Sequence, residues 1–135
     1  MNRKILFRGK CSAGWIYGDL IHQNGSSLIK PYLSMALPIQ SETAGQYTGL
    51  DDKSGNKIFE GDILSAHLDD LFPKNETRLT VVWHETGWYG LNCDNQTFDD
   101  FENGFQRFFE VIGNIHDNLE LLQKTVRDEN EETDA

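Results

Sequence analysis

A chain of 135 residues with 38% hydrophobic content has room for one modest hydrophobic core, which argues against a second domain. Its 22 acidic and 12 basic residues leave a net charge of −10, a field that repels phosphate backbones and disfavours nucleic-acid binding by charge neutralisation. The two cysteines, Cys11 and Cys93, stand far apart and outside any C-x-x-C spacing, so they read as free thiols rather than a disulfide framework or a zinc knuckle.

At the amino terminus the apolar run Ile5-Leu6-Phe7 is cut by Arg8, too short for a signal segment or a membrane span. The expected location is cytoplasmic, which makes the sequons at Asn24, Asn75 and Asn95 chance matches. Alternation of Ile5 with Phe7 and of Trp15 with Tyr17 predicts strands over 3–8 and 14–22. Asn24-Gly25 tolerates positive φ at both central positions of a type I′ turn, so 15–22 and 27–33 are expected to form a hairpin. Residues 34–45 show weak patterning and contain Pro38, which predicts an extended connection of low regularity.

Tyr47 and Leu50 then anchor a stretch rich in turn formers: Asp52-Lys53-Ser54-Gly55 turns the chain, Ile58-Phe59 returns it to the core, and Gly61-Asp62 bends it again into a strand over 63–68. Residues 71–77, with Pro73, read as a loop. Leu79–Trp83 and Trp88–Leu91 mirror each other across Glu85-Thr86-Gly87 as a second hairpin. Phe98, Phe101, Phe105 and Phe108 recur at three- and four-residue spacing, which predicts a short amphipathic helix over about 97–103. A strand over 109–115 follows, and Asp117 with Glu120 resembles a capping box opening a short helix through Leu122.

The whole is a mainly β chain, read as a small barrel or a curled antiparallel sheet with one or two short helices. Its domain is expected to span 1–122, followed by an acidic, disordered tail over 123–135 in which Asp128, Glu129, Glu131, Glu132 and Asp134 outnumber Lys124 and Arg127. Without the tail the body still carries −7.

No catalytic set survives inspection. His84-Glu85 would need a second histidine where Trp88 stands, and the segment reads as a hairpin rather than a zinc-binding helix. His116-Asp117 is explained as a polar strand end with a helix cap. Gly45 and Gly49 with Lys53-Ser54 fail as a phosphate loop because no glycine directly precedes the lysine, and because Asp51 and Asp52 would repel the anion. Lys53 likewise stands against reading Asp51 and Asp52 as calcium ligands. Asp99, Asp100 and Glu102 read as a solvated face opposite the phenylalanines. Trp15, Tyr17, Trp83, Trp88 and Tyr89 could form a base-stacking platform, but their apolar neighbours place most of them in the expected core.

Two segments together resemble the YopX family of bacteriophage and prophage proteins. One is Gln46-Tyr47-Thr48-Gly49-Leu50 with Asp52, Gly55 and Ile58-Phe59-Glu60-Gly61-Asp62-Ile63; the other is Val111-Ile112-Gly113-Asn114-Ile115 with Asn118 and Glu120-Leu121-Leu122. Phe7-Arg8-Gly9-Lys10 and Gly14 to Asp19 fit the same pattern, while His116 and Leu119 depart from it, standing where an aromatic and a proline are usual. The resemblance implies a mainly β fold of SH3-like type and phage or prophage origin. It implies no catalytic residue, metal or cofactor. The expectation is therefore a non-enzymatic accessory protein of the bacterial cytoplasm that binds a protein of host or phage, with homo-oligomerisation open. The alternative is a nucleic-acid-binding barrel using Arg3, Lys4, Arg8 and Lys10, the clustered bases.

Overall fold

A computed structural model describes residues 5–85, 87–92, 98–101 and 104–122. The chain divides into two compact units, Met1–Gly49 and Leu50–Ala135. Both are built from antiparallel strands, and among the described residues neither sheet closes into a barrel.

In the first unit, β1 (Phe7–Cys11), β2 (Gly14–Gln23), β3 (Ser26–Lys30), β4 (Leu37–Pro38) and β5 (Gln40–Asp51, its last two residues in the second unit) form a sheet in the order β4-β3-β2-β1-β5. Asn24 and Gly25 adopt φ of 53° and 80°, the twist that a two-residue hairpin needs, and β2 pairs with β3 from Gln23↔Ser26 to Asp19↔Lys30. Ile29 is fully buried, and Tyr47, Thr43 and Ser27 are buried with it.

The irregular connection expected over 34–45 is corrected: from Gln40 the chain is already strand, paired with β1 at Lys10↔Gln40, Arg8↔Gly45 and Phe7↔Gln46. The buried alternate positions there are Thr43, Gly45 and Tyr47, so burial follows the two-residue period of a strand while hydrophobicity does not. Thr43 is tolerated inside because its hydroxyl donates to the Gln40 carbonyl (2.6 Å) and accepts the Lys10 N–H (2.8 Å). Pro38 lies on the edge strand, where its missing N–H breaks no ladder.

In the second unit the turn at residues 52–56 leads into β6 (Lys57–Phe59), the hydrogen-bonded neighbour of β5. Then β7 (Asp62–Ala66), β8 (Thr77–His84), β9 (Gly87–Asn92), β10 (Phe98–Asp100) and β11 (Glu110–Asn114) form a second sheet in the order β10-β9-β8-β7-β11. Ile58, Leu64, Ala66, Leu79, Val81, Phe101 and Phe109 make its core, with Leu50, Trp88, Phe105 and Val111 packed against them. A single helical turn at residues 120–122 is tied to β8 by Arg78, whose guanidinium donates to the Leu121 carbonyl and is paired with Glu76 at 2.9 Å.

Two expectations fail here. Where 97–103 is described, at 98–101, there is no helix: Phe98–Asp100 pair with Leu91, Gly90 and Tyr89, and the helical piece that follows is the 3-10 turn Phe105–Phe108, entered through Gly104 at φ 83°. Phe101 and Phe109 are buried while Phe108 faces solvent, so the four-phenylalanine stripe is shared between a strand and a turn rather than lying on one helix. The aromatics do not fill the core either. Tyr17 and Trp83 are exposed and Trp15, Trp88 and Tyr89 half-buried, because alternation identifies a face without saying how far along it the core extends. Trp83 shares parity with the buried Leu79 and Val81, yet it lies at the hairpin end of β8, where it makes an edge-to-face contact with Trp88, ring centroids 5.0 Å apart. The expected tail, 123–135, lies outside the described residues, as does Cys93; Cys11 is a free thiol.

Candidate functional site

The densest polar network in the second unit is built on the carboxylate of Asp52. One oxygen accepts the N–H groups of Ser54 (2.9 Å) and Asn56 (2.8 Å); the other accepts the Val111 N–H (2.9 Å) and the Asn56 amide (3.2 Å). Burial works to raise the Asp52 pKa, but these donors, Val111 first, outweigh it and hold the carboxyl below its ordinary value. The Lys53 N–H goes to the Phe109 carbonyl and the Gly55 N–H to that of Asp52, while the Ser54 hydroxyl bonds Glu110. Every backbone N–H from Lys53 to Asn56, the set a phosphate would need, thus has a protein acceptor.

Nine residues after Asp52, Gly61 takes φ 90°, a region closed to most side chains, donates its N–H to the Val81 carbonyl and accepts that of Ile115, both at 2.9 Å. Asp62, 2% exposed, accepts the Phe59 N–H at 2.7 Å and lies opposite Asn114 in the β7–β11 ladder. Between Val111 and Gly113 that ladder slips by one residue, a bulge that leaves Ile112 exposed. A Cβ on Gly113 would lie 2.5 Å from the Asn118 side-chain oxygen, so the close approach admits only glycine.

Asn114 and Asn118 exchange roles across this turn. The Asn114 side-chain oxygen accepts the N–H groups of His116 and Asp117 (both 2.9 Å), and the Asn118 oxygen accepts the Asn114 N–H at 3.2 Å. These bonds shape the turn at 115–117, ahead of the helical turn at 120–122. Sequence reading missed Asn118 as a partner; its only signal was an asparagine four residues after another at a strand end.

The remaining signature residues lie on β5: Gln46 opposite Phe7, Tyr47 buried with its N–H on the Leu6 carbonyl (2.7 Å), Thr48 buried, and Gly49 at φ 85°. Leu50 packs on the second unit's core.

Candidate chemistry elsewhere is dispersed. His84-Glu85 sits in the β8–β9 turn with Glu85 at φ 56°, Asp99 and Asp100 lie on β10, and Glu102 falls outside the described residues. Among the described residues no group of three or more His, Cys, Asp or Glu could hold a metal ion, and no helix is long and apolar enough to cross a membrane. Of the basic cluster, Arg3 and Lys4 lie outside the described residues, while Arg8 is buried with its guanidinium 4.8 Å from the Trp15 ring, which Lys10 also approaches at 6.0 Å.

Among the described residues the most exposed large apolar side chains stand on two loops. Between β3 and β4, Tyr32 (88% exposed), Leu33 (83%) and Met35 (84%) project from a turn closed by the Ser34 N–H on the Pro31 carbonyl (3.1 Å), with Leu33 held at φ 60°. Between β7 and β8, Leu71 (84%) and Phe72 (61%) project from a turn in which Asp69 accepts both their N–H groups, at 2.9 and 3.2 Å.

The family model described as "YopX protein" matches residues 15–123. A search of the curated proteins found no match. Among solved structures, the crystal structure of protein EF1440 from Enterococcus faecalis is similar in fold, with a TM-score of 0.55 and 22% identity over 90% of this chain and 99% of that one. The matched span contains Asp52, Gly61, Asp62, Gly113 and Asn114, the residues that knit the second unit together, and the chain belongs to the YopX protein family.

Proposed function

We propose that this is a non-enzymatic, protein-binding accessory protein of phage or prophage origin, working in the host cytoplasm through the loop between β3 and β4. The carrying observation is that tip: three large apolar side chains, each more than four-fifths exposed, stand on a backbone that a turn hydrogen bond and a left-handed leucine hold in one shape. Hydrophobic tips presented on a fixed backbone bind with little ordering cost. The Asp52 and Asp62 carboxylates support the non-enzymatic reading, since both accept backbone N–H groups and so serve the fold. The origin is supported by the family resemblance alone. Affinity capture from nuclease-treated bacterial lysate is the test: the wild-type chain should retain a discrete protein that Leu33→Asp loses. Equal capture by both would overturn the reading.

A second reading, nucleic-acid binding, has one observation in its favour. The β1–β2 register sets Arg8 opposite Tyr17 and Lys10 opposite Trp15, so bases and aromatics share one sheet face. Against it, Arg8 is buried and the Trp15 ring is already approached by cations. Fluorescence anisotropy with labelled single-stranded DNA at about 0.15 M salt decides it, because screening at that strength removes long-range attraction. Submicromolar binding reduced by Lys10→Glu would promote this reading over the first.

A further inference from the structure

The net charge of −10 is unevenly divided. Residues 1–49 hold five bases (Arg3, Lys4, Arg8, Lys10, Lys30) against two acids (Asp19, Glu42), a net +3, and the other seven bases and twenty acids leave the second unit at −13. Each unit's most exposed apolar side chains stand, among the described residues, on one loop tip. The basic unit presents Tyr32, Leu33 and Met35 just after Lys30; the acidic unit presents Leu71 and Phe72 just after Asp69 and Asp70. Both tips are shaped by local hydrogen bonds, Ser34 to Pro31 in one, Leu71 and Phe72 to Asp69 and Asn75 to Phe72 in the other. Both tips are exposed.

We infer that the two tips are complementary halves of a contact between copies: the Tyr32-Leu33-Met35 tip of one chain packs against the Leu71-Phe72 tip of the next. This rests on the reading of the β3–β4 loop as a docking element and names its partner as a second copy. Charge selects the arrangement. Joining like tips would oppose −13 to −13 or +3 to +3, whereas joining unlike tips sets the basic unit of one copy against the acidic unit of another while removing apolar surface from water. Such a contact either closes in a two-fold pair, each copy supplying both tips, or propagates head to tail with a free tip of each kind at the ends.

Sedimentation velocity of the full chain, from about 1 to 500 µM and at about 0.05 and 0.5 M NaCl, tests it, because the two salts bracket strong and weak screening. The wild-type chain should form concentration-dependent dimers or larger species, fewer at the higher salt. Leu33→Asp and Leu71→Asp, both at exposed positions, should each be folded by circular dichroism and monomeric. Mixed in equal amounts they should give a dimer and nothing larger, since one intact tip of each kind remains. A wild-type chain that stays monomeric throughout, or a mixture that stays monomeric while the wild type assembles, overturns the inference. The docking reading is judged separately: if Leu33→Asp loses a lysate partner while the wild type is monomeric, the loop docks a different protein.

Discussion

The carboxylate of Asp52 accepts the backbone N–H of Val111 at 2.9 Å, across 59 residues of sequence. That bond ties the turn at 52–56 to β11 and makes one residue the joint between the two segments that carry the family resemblance. Asp52→Ala would leave the N–H groups of Val111, Ser54 and Asn56 without this acceptor and should destabilise the protein by about 2 kcal/mol or more, as losing charge-assisted bonds to a buried acceptor does. Asp52→Asn should cost clearly less, because the amide oxygen still accepts. Urea unfolding of the three chains measures the difference.

Acid should loosen the same joint. Burial raises the pKa of Asp52 and of Glu76, but hydrogen bonds from Val111 and Asn56 to the first and from Arg78 and Ser65 to the second prevail, so both folded-state values lie below the ordinary 3.8 and 4.5. A folded pKa below the unfolded one means that the unfolded chain binds more protons, so stability from these groups is complete above the ordinary values and is lost as pH falls through the folded ones. Unfolding free energy measured from pH 7 downward should hold until about pH 5 and then fall, as linkage requires for depressed carboxylates. The fall should be shallower in Asp52→Asn.

Gly61 and Gly113 resist substitution for different reasons. Gly61→Ala places a side chain at φ 90° and should cost about 1 kcal/mol or more, with Asp62→Asn milder because its oxygen can still take the Phe59 N–H. Gly113→Ala meets the Asn118 side chain instead, so its cost should shrink when combined with Asn118→Ala. A double-mutant cycle by thermal unfolding checks the coupling; strict additivity would show that the contact is unimportant.

Leu33 tests whether the loop is shaped for binding rather than for stability. A leucine at φ 60° is strained and its side chain is exposed, so Leu33→Gly should leave stability unchanged or raise it by up to about 1 kcal/mol. The same substitution should weaken capture of the partner about tenfold, as loss of an anchor side chain does. A drop in stability on Leu33→Gly would mean that the leucine packs after all.

Turns were legible in the sequence because their chemistry is local. Asn24-Gly25, Asp52 to Gly55 and Gly61 adopt their conformations through positive φ and hydrogen bonds within a few residues, and the hairpins follow from strands that such turns bring side by side. The candidate site was legible only in part: Asp52, Gly61 and Asp62 stood out by turn chemistry and Gly113 and Asn114 by the family resemblance, but nothing local shows that Asp52 reaches Val111 or that Asn118 lies beneath Gly113. The tertiary structure decided the rest, because burial and pairing depend on distant partners. Thr43 could enter the interior once Gln40 and Lys10 bonded its hydroxyl, Phe98–Asp100 became strand because β9 offered a ladder, and Trp83 stayed outside because the core ends before the tip of its hairpin. Hydrophobic pattern records which side chains avoid water, and it takes the neighbouring strand to supply either the cover or the hydrogen bond.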